Sequence, residues 1–291
     1  MPSFLPPGSA VPAAVLCAAV LHALWNAMAH RITDKLVGFT LINLAYTGCA
    51  AVMVCFVPLP EAGAWPFILV SAALEVLSQL FLLRAYQLGD FGQMYPIARG
   101  TAPLLVAVAS VTLLGQPPAA GEMAGVLVIS AGLAGLAGLA FANGRPGRAQ
   151  LPALAAAVAT GVVIAGYTVV DGTGVHRSQT VIGYIAWLFL CQGPVLPLLA
   201  LARRGRPLLA QLKPACGIGL TGGVISLTAY GLVIWAQAHG DLATIAALRE
   251  TSILIAALIA TLLFRERFGR LRLTAGAAVL AGIVVLELAH P

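Results

Sequence analysis

The sequence predicts an all-α integral membrane protein: ten transmembrane helices, arranged as two inverted five-helix repeats around a central cavity. Three observations predict this class. Of the 291 residues, 60% are hydrophobic and 9% are charged, whereas a soluble domain carries about 25% charged residues. The apolar residues form runs of about 20, the length that a helix needs to cross the hydrocarbon core of a bilayer. The two halves of the sequence also share residues at matching positions.

The ten apolar runs, called spans 1 to 10, follow one another with short breaks. They cover 11–30, 36–58, 65–87, 91–115, 119–142, 151–171, 179–202, 214–237, 242–264 and 271–289. Pro or Gly marks many of the breaks, as turns require. The breaks are His30–Lys35, Pro58–Ala64, Leu88–Asp90, Gln116–Pro118, Asn143–Gln150, Gly172–Ser178, Arg203–Lys213, His239–Asp241 and Arg265–Arg270. Within lipid each span must satisfy its own backbone groups, so we expect every span to be a helix.

The basic residues set the expected orientation. Thirteen of the 16 lysines and arginines lie in the breaks that follow odd-numbered spans or within a few residues of them. Arg177 lies in one of the other breaks, while Arg99 and Arg249 lie inside spans. Positive residues favour the cytoplasmic side, so we expect both termini on the non-cytoplasmic side of the cell (inner) membrane. Short basic clusters between apolar runs also argue against nucleic-acid binding, despite the net charge of +6.

A shift of 151 residues relates the two halves. It places Gly89-Asp90 on Gly240-Asp241, and Ala124-Gly125 on Ala275-Gly276. We therefore expect a first repeat over 1–142, a linker over 143–150 and a second repeat over 151–291. Because five is an odd number of crossings, the two repeats must be inverted in the membrane. Inverted repeats are a common plan of secondary transporters, whose substrate sites lie near the midplane.

Several short motifs resemble a known family. They are the segment from His22 to Asn26, Ala85 with Gly89-Asp90, Tyr95-Pro96 with Pro103, Tyr167 with Asp171-Gly172, the segment 262–266, and Gly276. Together with the ten-span plan, they resemble the EamA type of the drug/metabolite transporter superfamily, and its aromatic amino-acid exporters above all. The family often ends span 4 with a glutamate, where this sequence has Gly115-Gln116.

The resemblance implies a carrier whose cavity is lined by spans 1–4 and 6–9. It implies export of amino acids or related small metabolites by alternating access. A proton-coupled exporter of drugs and organic cations is an alternative. A lipid enzyme or flippase is a third, although no HExxH, GxSxG or Walker A motif is found. We expect no enzyme activity, cofactor or metal, a functional monomer, and a small-molecule substrate and membrane lipids as the only partners.

Charged residues inside spans are the first site candidates, because a charge in lipid is costly. They are Glu75, Arg99, Arg249 and Glu250, and the 151-residue shift places Arg99 on Glu250. One interpretation is a site for zwitterions, in which arginine holds a carboxylate and glutamate holds an ammonium. The other is a structural Arg–Glu pair that never touches substrate.

A polar face on span 1 is a second candidate. His22, Trp25 and Asn26 are spaced i, i+3 and i+4, so they share one side of a helix. His22 is either a proton carrier near neutral pH or a neutral histidine bonded to another helix. Glu75 and Gln79 share a face of span 3 in the same way, and burial would make Glu75 another proton-coupling candidate.

Aromatic and proline residues complete the candidates. Tyr95, Tyr167 and Trp187 are candidate cavity walls, whereas Trp65 and Trp235 fit interface anchors. Pro96, Pro103, Pro194 and Pro197 are candidate hinges or fixed bends. Asp90, Asp171 and Asp241 lie at predicted span ends, so we expect caps or loop contacts. Glycines spaced by four, at 121 and 125 and at 219 and 223, favour close helix packing within the chain.

Overall fold

The computed structural model describes residues 10–88, 94, 97–99, 102–113, 115, 119–139 and 151–255, with 277–278, 281–282, 284–285 and 288 of span 10. In this part of the chain every regular element is a helix. Six helical segments are long and apolar enough to cross a membrane. They are Ala10–Ala29, Lys35–Met53, Ala62–Leu88, Leu151–Arg177, Val181–Arg204 and Pro207–Gln237. The chain is therefore a multi-pass membrane protein, as predicted, while the count of ten spans stays a prediction.

The individual helices follow the predicted spans in order. Spans 1 to 3 are Ala10–Arg31, Lys35–Met53 and Trp65–Leu88, the last preceded by a 3₁₀ turn at Ala62–Ala64. In spans 4 to 6 the helices are Ala102–Thr112, Ala120–Leu139 and Leu151–Arg177. Spans 7 to 9 contain Val181–Gln192, Val195–Arg204, Cys216–Gln237 and Leu242–Arg249. The break before span 8 holds a short helix, Pro207–Leu212, and a 3₁₀ turn, Lys213–Ala215.

The predicted end of span 6 is wrong. Its helix continues through Gly172 to Arg177 instead of ending at Asp171. Glycine is a poor helix former, but helices in proteins are stabilised mainly by tertiary contacts. Gly174 allows such a contact because it has no side chain, which leaves room for Phe67 and Tyr184. A Cβ atom at this position would lie 2.5 Å from Phe67 Cβ and 2.7 Å from Tyr184 Oη.

Spans 7 and 9 are each interrupted. Span 7 is divided at Gly193 and Pro194, because proline has no N–H to continue the hydrogen-bonding ladder. In span 9 the first helix ends at Arg249 and Glu250 forms a turn. Residues 251–255 are helical again, and the N–H of Ile253 donates to Glu250 O at 3.0 Å. That i to i+3 bond marks a local tightening of the helix.

The described chain forms two compact units, and each draws on both sequence halves. Unit 1 contains residues 1–76 and 170–239, and unit 2 contains 77–169 and 240–291. In unit 1, span 8 packs against spans 1 and 2, and span 2 packs against both helices of span 7. In unit 2, the first helix of span 9 packs against spans 4 and 5. Spans 3 and 6 contribute residues to both units.

Glycines of span 8 allow its close approach to span 2. A Cβ atom on Gly219 would overlap Leu41, and one on Gly223 would overlap the Ile42 carbonyl and lie 2.5 Å from Ala45 Cβ. The expectation that this glycine pair serves packing within the chain is confirmed.

Three side chains cap helix starts. Asp34 accepts hydrogen bonds from the N–H groups of Leu36 and Val37, at 3.1 and 3.2 Å. Thr180 accepts one from Gly183 N, and Asp241 accepts one from Thr244 N at 2.7 Å. The expectation of a cap at Asp241 is therefore confirmed. Asp34 also binds Arg204, whose Nη2 lies 3.1 Å from Asp34 Oδ1.

Asp34 gives a first testable prediction. Partial burial acts to raise the pKa of its carboxyl, but the hydrogen bonds and charge of Arg204, with the backbone N–H groups, outweigh it and hold that pKa below its usual value. Replacing Asp34 by alanine removes a cap, worth about 1 kcal/mol of unfolding free energy at neutral pH. Because the folded-state pKa is depressed, this contribution is present above pH ~4 and is lost as the pH falls through the folded value.

Thermal unfolding in detergent at neutral and acidic pH measures this difference. Asp34→Asn is the matched control, since it keeps an acceptor for the cap and loses only the half-exposed ion pair, worth about 0–1 kcal/mol. Equal destabilisation by the Ala and Asn variants would show that the charge, and not the cap, carries the effect.

Candidate functional site

A buried ion pair in unit 2 is the core of the candidate site. Arg99 Nε donates to Glu250 Oε2 at 3.1 Å, and Arg99 Nη2 donates to Ser252 Oγ at 3.3 Å. Both charged side chains are almost fully buried. A buried charge is tolerated only when it is paired and hydrogen-bonded, so each residue depends on the other. The structure thus brings together the two charges that the 151-residue shift relates.

The break in span 9 positions Glu250. A turn rather than a helix at this residue places the carboxylate where the backbone ladder is interrupted. Arg249 is also buried, and its charge acts on Glu250. Within the described residues, the buried hydroxyls of Thr244 and Thr251 have no hydrogen-bond partner. Interrupted helices with unused polar groups are typical of substrate and ion sites in transporters.

The polar face of span 1 forms a small hydrogen-bonded group in unit 1. Trp25 Nε1 donates to His22 Nδ1 at 3.2 Å, and Asn26 Nδ2 donates to the His22 carbonyl at 2.8 Å. The His22 and Trp25 rings meet edge to face at 5.1 Å. Since Nδ1 accepts a hydrogen bond, the neutral ring carries its hydrogen on Nε2. Both of these hydrogen bonds join residues of span 1.

Asp171 was misassigned by sequence. It is not a cap or loop contact but a fully buried residue inside the span 6 helix. Tyr184 Oη donates to its Oδ1 at 2.8 Å, and Tyr230 Oη donates to its Oδ2 at 2.5 Å. The available signal was a carboxylate in an almost wholly apolar run, followed by tyrosines in the next two spans. The break predicted at Gly172–Ser178 places Asp171 at a span end instead.

The remaining candidates lie on several helices. Trp187 meets Trp65 edge to face at 5.1 Å, and its buried Nε1 has no hydrogen-bond partner among the described residues. Trp235 stacks on His239 at 4.5 Å. Glu75 and Gln79 are half-buried on span 3, and Tyr167 is buried on span 6.

The described prolines occupy different positions in their spans. Pro103 lies within the apolar helix Ile97–Thr112. Pro197 is the third residue of Val195–Arg204, and in a first helical turn proline costs no hydrogen bond. Pro194 lies at the division of span 7. Outside the described residues lie Tyr95, Pro96, the Gly89-Asp90 pair, Gln116, the linker 143–150, the segment 262–266 and Gly276.

Comparison with known proteins finds a similar solved structure and a matching family model. A crystal structure described only as that of a protein has the same fold: TM-score 0.77, 19% sequence identity, with 97% of this chain and 99% of that chain covered. No curated protein matches the sequence. The model of the EamA-like transporter family matches residues 151–288, from span 6 into span 10. This part of the chain is therefore similar to the EamA-like transporter family, within the drug/metabolite transporter superfamily.

Proposed function

We propose that the protein is a secondary transporter that exports amino acids or related small metabolites across the cell (inner) membrane by alternating access. In this proposal it acts as a monomer with both termini on the non-cytoplasmic side. Similarity to this family supports transport of small molecules. The observation that carries the substrate class is the buried Arg99–Glu250 pair at the break in span 9.

The pair suits a zwitterion because such a substrate can separate Arg99 from Glu250 without leaving either charge unpaired. The substrate carboxylate takes the place of Glu250 on the Arg99 guanidinium, and its ammonium engages the Glu250 carboxylate. A guanidinium presents five N–H donors in a fork that matches a carboxylate. Opening a buried pair without replacement partners is strongly unfavourable. A zwitterion supplies both partners at once, whereas a simple cation or anion supplies one.

Contacts between counterparts support the inverted repeats. Arg99 and Glu250 lie 151 residues apart and touch. Shifted by 151, span 2 falls on the two helices of span 7, and these elements also pack together. Spans 5 and 10 are likewise counterparts, and a Cβ atom on Gly282 would lie 2.6 Å from Ile129 Cγ1. Elements touch their own counterparts where a two-fold axis passes between them.

The other sequence candidates keep their proposed roles. His22, Trp25 and Asn26 are proposed as polar substrate contacts, Tyr95, Tyr167 and Trp187 as aromatic contacts, and Gln79 and Arg249 as further polar groups. Pro96, Pro103, Pro194 and Pro197 are the bending points. The alternative substrate class is organic cations, with Glu75 or His22 as the proton carrier.

Counterflow in proteoliposomes tests the substrate class. With the same compound on both sides, labelled aromatic amino acids are expected to exchange faster than in empty vesicles, and unlabelled zwitterions should compete better than organic cations. Gly217→Ala is a suitable control variant, because Gly217 is exposed with nothing within 4 Å of a Cβ atom. Exchange of cations alone, lost in Glu75→Gln, would replace this proposal by the cation exporter.

A further inference from the structure

A second buried polar group, which we call the Asp171 centre, lies in unit 1, whereas the Arg99–Glu250 pair lies in unit 2. It consists of Asp171, Tyr184 and Tyr230, from spans 6, 7 and 8. Each carboxylate oxygen accepts one phenol hydrogen bond, at 2.8 and 2.5 Å. Asp171 and Tyr184 have no measurable exposed surface. A carboxyl group in a membrane span is expensive and by default indicates function.

The surroundings hold this centre in place from several sides. Gly174 lies one turn after Asp171, and a Cβ atom there would lie 2.7 Å from Tyr184 Oη. Phe189 meets the Tyr230 ring at 6.1 Å and the Tyr46 ring of span 2 at 4.9 Å. The two phenols are therefore not free to leave the carboxylate unless spans 7 and 8 move relative to span 6.

We propose that Asp171 is a proton-binding site of the transporter and that its protonation is coupled to movement of spans 7 and 8. The ionised carboxylate accepts from both phenols. When a proton binds an Asp171 oxygen, the new O–H donates to a phenol oxygen, and that tyrosine must turn its own hydrogen to another acceptor. Protonation thus exchanges a charge-assisted hydrogen bond for a weaker neutral one and loosens one helix from span 6. This inference rests on the proposed transport function.

Other titratable groups lie on span 6 itself and on the helices packed near the centre. From span 3, the charge of Glu75 acts on the Tyr184 hydroxyl. Span 1, which packs against span 8, carries His22, and span 2 carries Tyr46. On span 6 itself, His176 and Arg177 follow at the exposed end of the helix.

Two transport assays on the full protein separate proton coupling from substrate exchange. Asp171→Asn is expected to lose accumulation driven by an imposed pH gradient and to keep counterflow at equal pH on both sides. Tyr184→Phe and Tyr230→Phe should keep both activities and shift the pH dependence of driven uptake, since each removes one donor to the carboxylate. Infrared difference spectra between acidic and alkaline pH should show a protonated carboxyl band that is missing in Asp171→Asn.

The outcomes are distinguishable. Wild-type protein without counterflow would remove the transport function itself. Counterflow with wild-type gradient dependence in Asp171→Asn would overturn the inference alone. Loss of counterflow in Asp171→Asn would also overturn it, because the residue would then serve folding or substrate binding. If Glu75→Gln alone removes gradient-driven uptake and the infrared band, the proton resides on Glu75 instead.

Discussion

Arg99→Gln is expected to abolish transport and to lower the unfolding free energy by about 3–5 kcal/mol, the usual cost of removing one member of a buried ion pair. The physical reason is that Glu250 stays buried beside the break in span 9 without its main counter-charge. Counterflow and thermal unfolding in detergent measure the two effects. Arg204→Gln is the matched control, since its partner Asp34 is half-exposed and such pairs are worth about 0–1 kcal/mol.

A charge exchange separates the substrate role of this pair from a structural one. In the double variant Arg99→Glu with Glu250→Arg, the pair can form again, so much of the stability should return. Transport should stay absent, because the guanidinium and the carboxylate have then exchanged places relative to the rest of the proposed site. If the double variant transports as well as the wild type, the pair is structural and the zwitterion site must lie elsewhere.

Gly223→Leu is expected to prevent stable folding. Even the alanine variant should lose about 1–3 kcal/mol, the cost of overpacking, because the added Cβ meets the Ile42 carbonyl and Ala45 of span 2. A clash with backbone cannot be relieved by a rotamer change. The folded fraction after purification and the unfolding temperature measure this effect. Gly217→Ala on the same helix is the control and should be neutral or stabilising by up to about 1 kcal/mol, since alanine is the better helix former.

A folded, stable Gly223→Leu protein would show that spans 2 and 8 do not approach as closely as described. A variant that folds as a monomer but loses a dimer would instead assign Gly223 to an interface between copies. Either result would remove the argument that the small residues of span 8 serve packing inside the chain.

Most of the fold followed from helix length and composition. An apolar run in lipid has one low-energy choice of backbone, so the helices of spans 1, 3 and 8 start and end close to their predicted positions, while that of span 2 ends at Met53 instead of the predicted 58. The predicted helix ends were wrong where contacts with neighbouring helices determine the backbone. Gly172 and Gly174 look like helix breakers locally, but they lie inside a helix because Phe67 and Tyr184 occupy the space beside it.

Among the buried polar groups, too, some contacts were predictable from the sequence and others were not. Contact between Arg99 and Glu250 was foreseeable, because the 151-residue shift makes them counterparts and an unpaired charge in lipid is excluded by its cost. The identity of the two hydrogen-bond donors to Asp171 was not foreseeable, since they lie 13 and 59 residues away on two other helices. No spacing rule along one helix connects them.

By itself, then, the sequence determined a helical membrane protein with opposite charges at matching positions of its two halves, because apolar length and the cost of buried charge act locally. Only the tertiary structure decided where the helix of span 9 is interrupted, which carboxylate accepts hydrogen bonds from two tyrosines, and which glycines allow a neighbouring helix to pack closely. These features depend on side chains that distant segments bring within a few ångströms, and such distances are settled by packing.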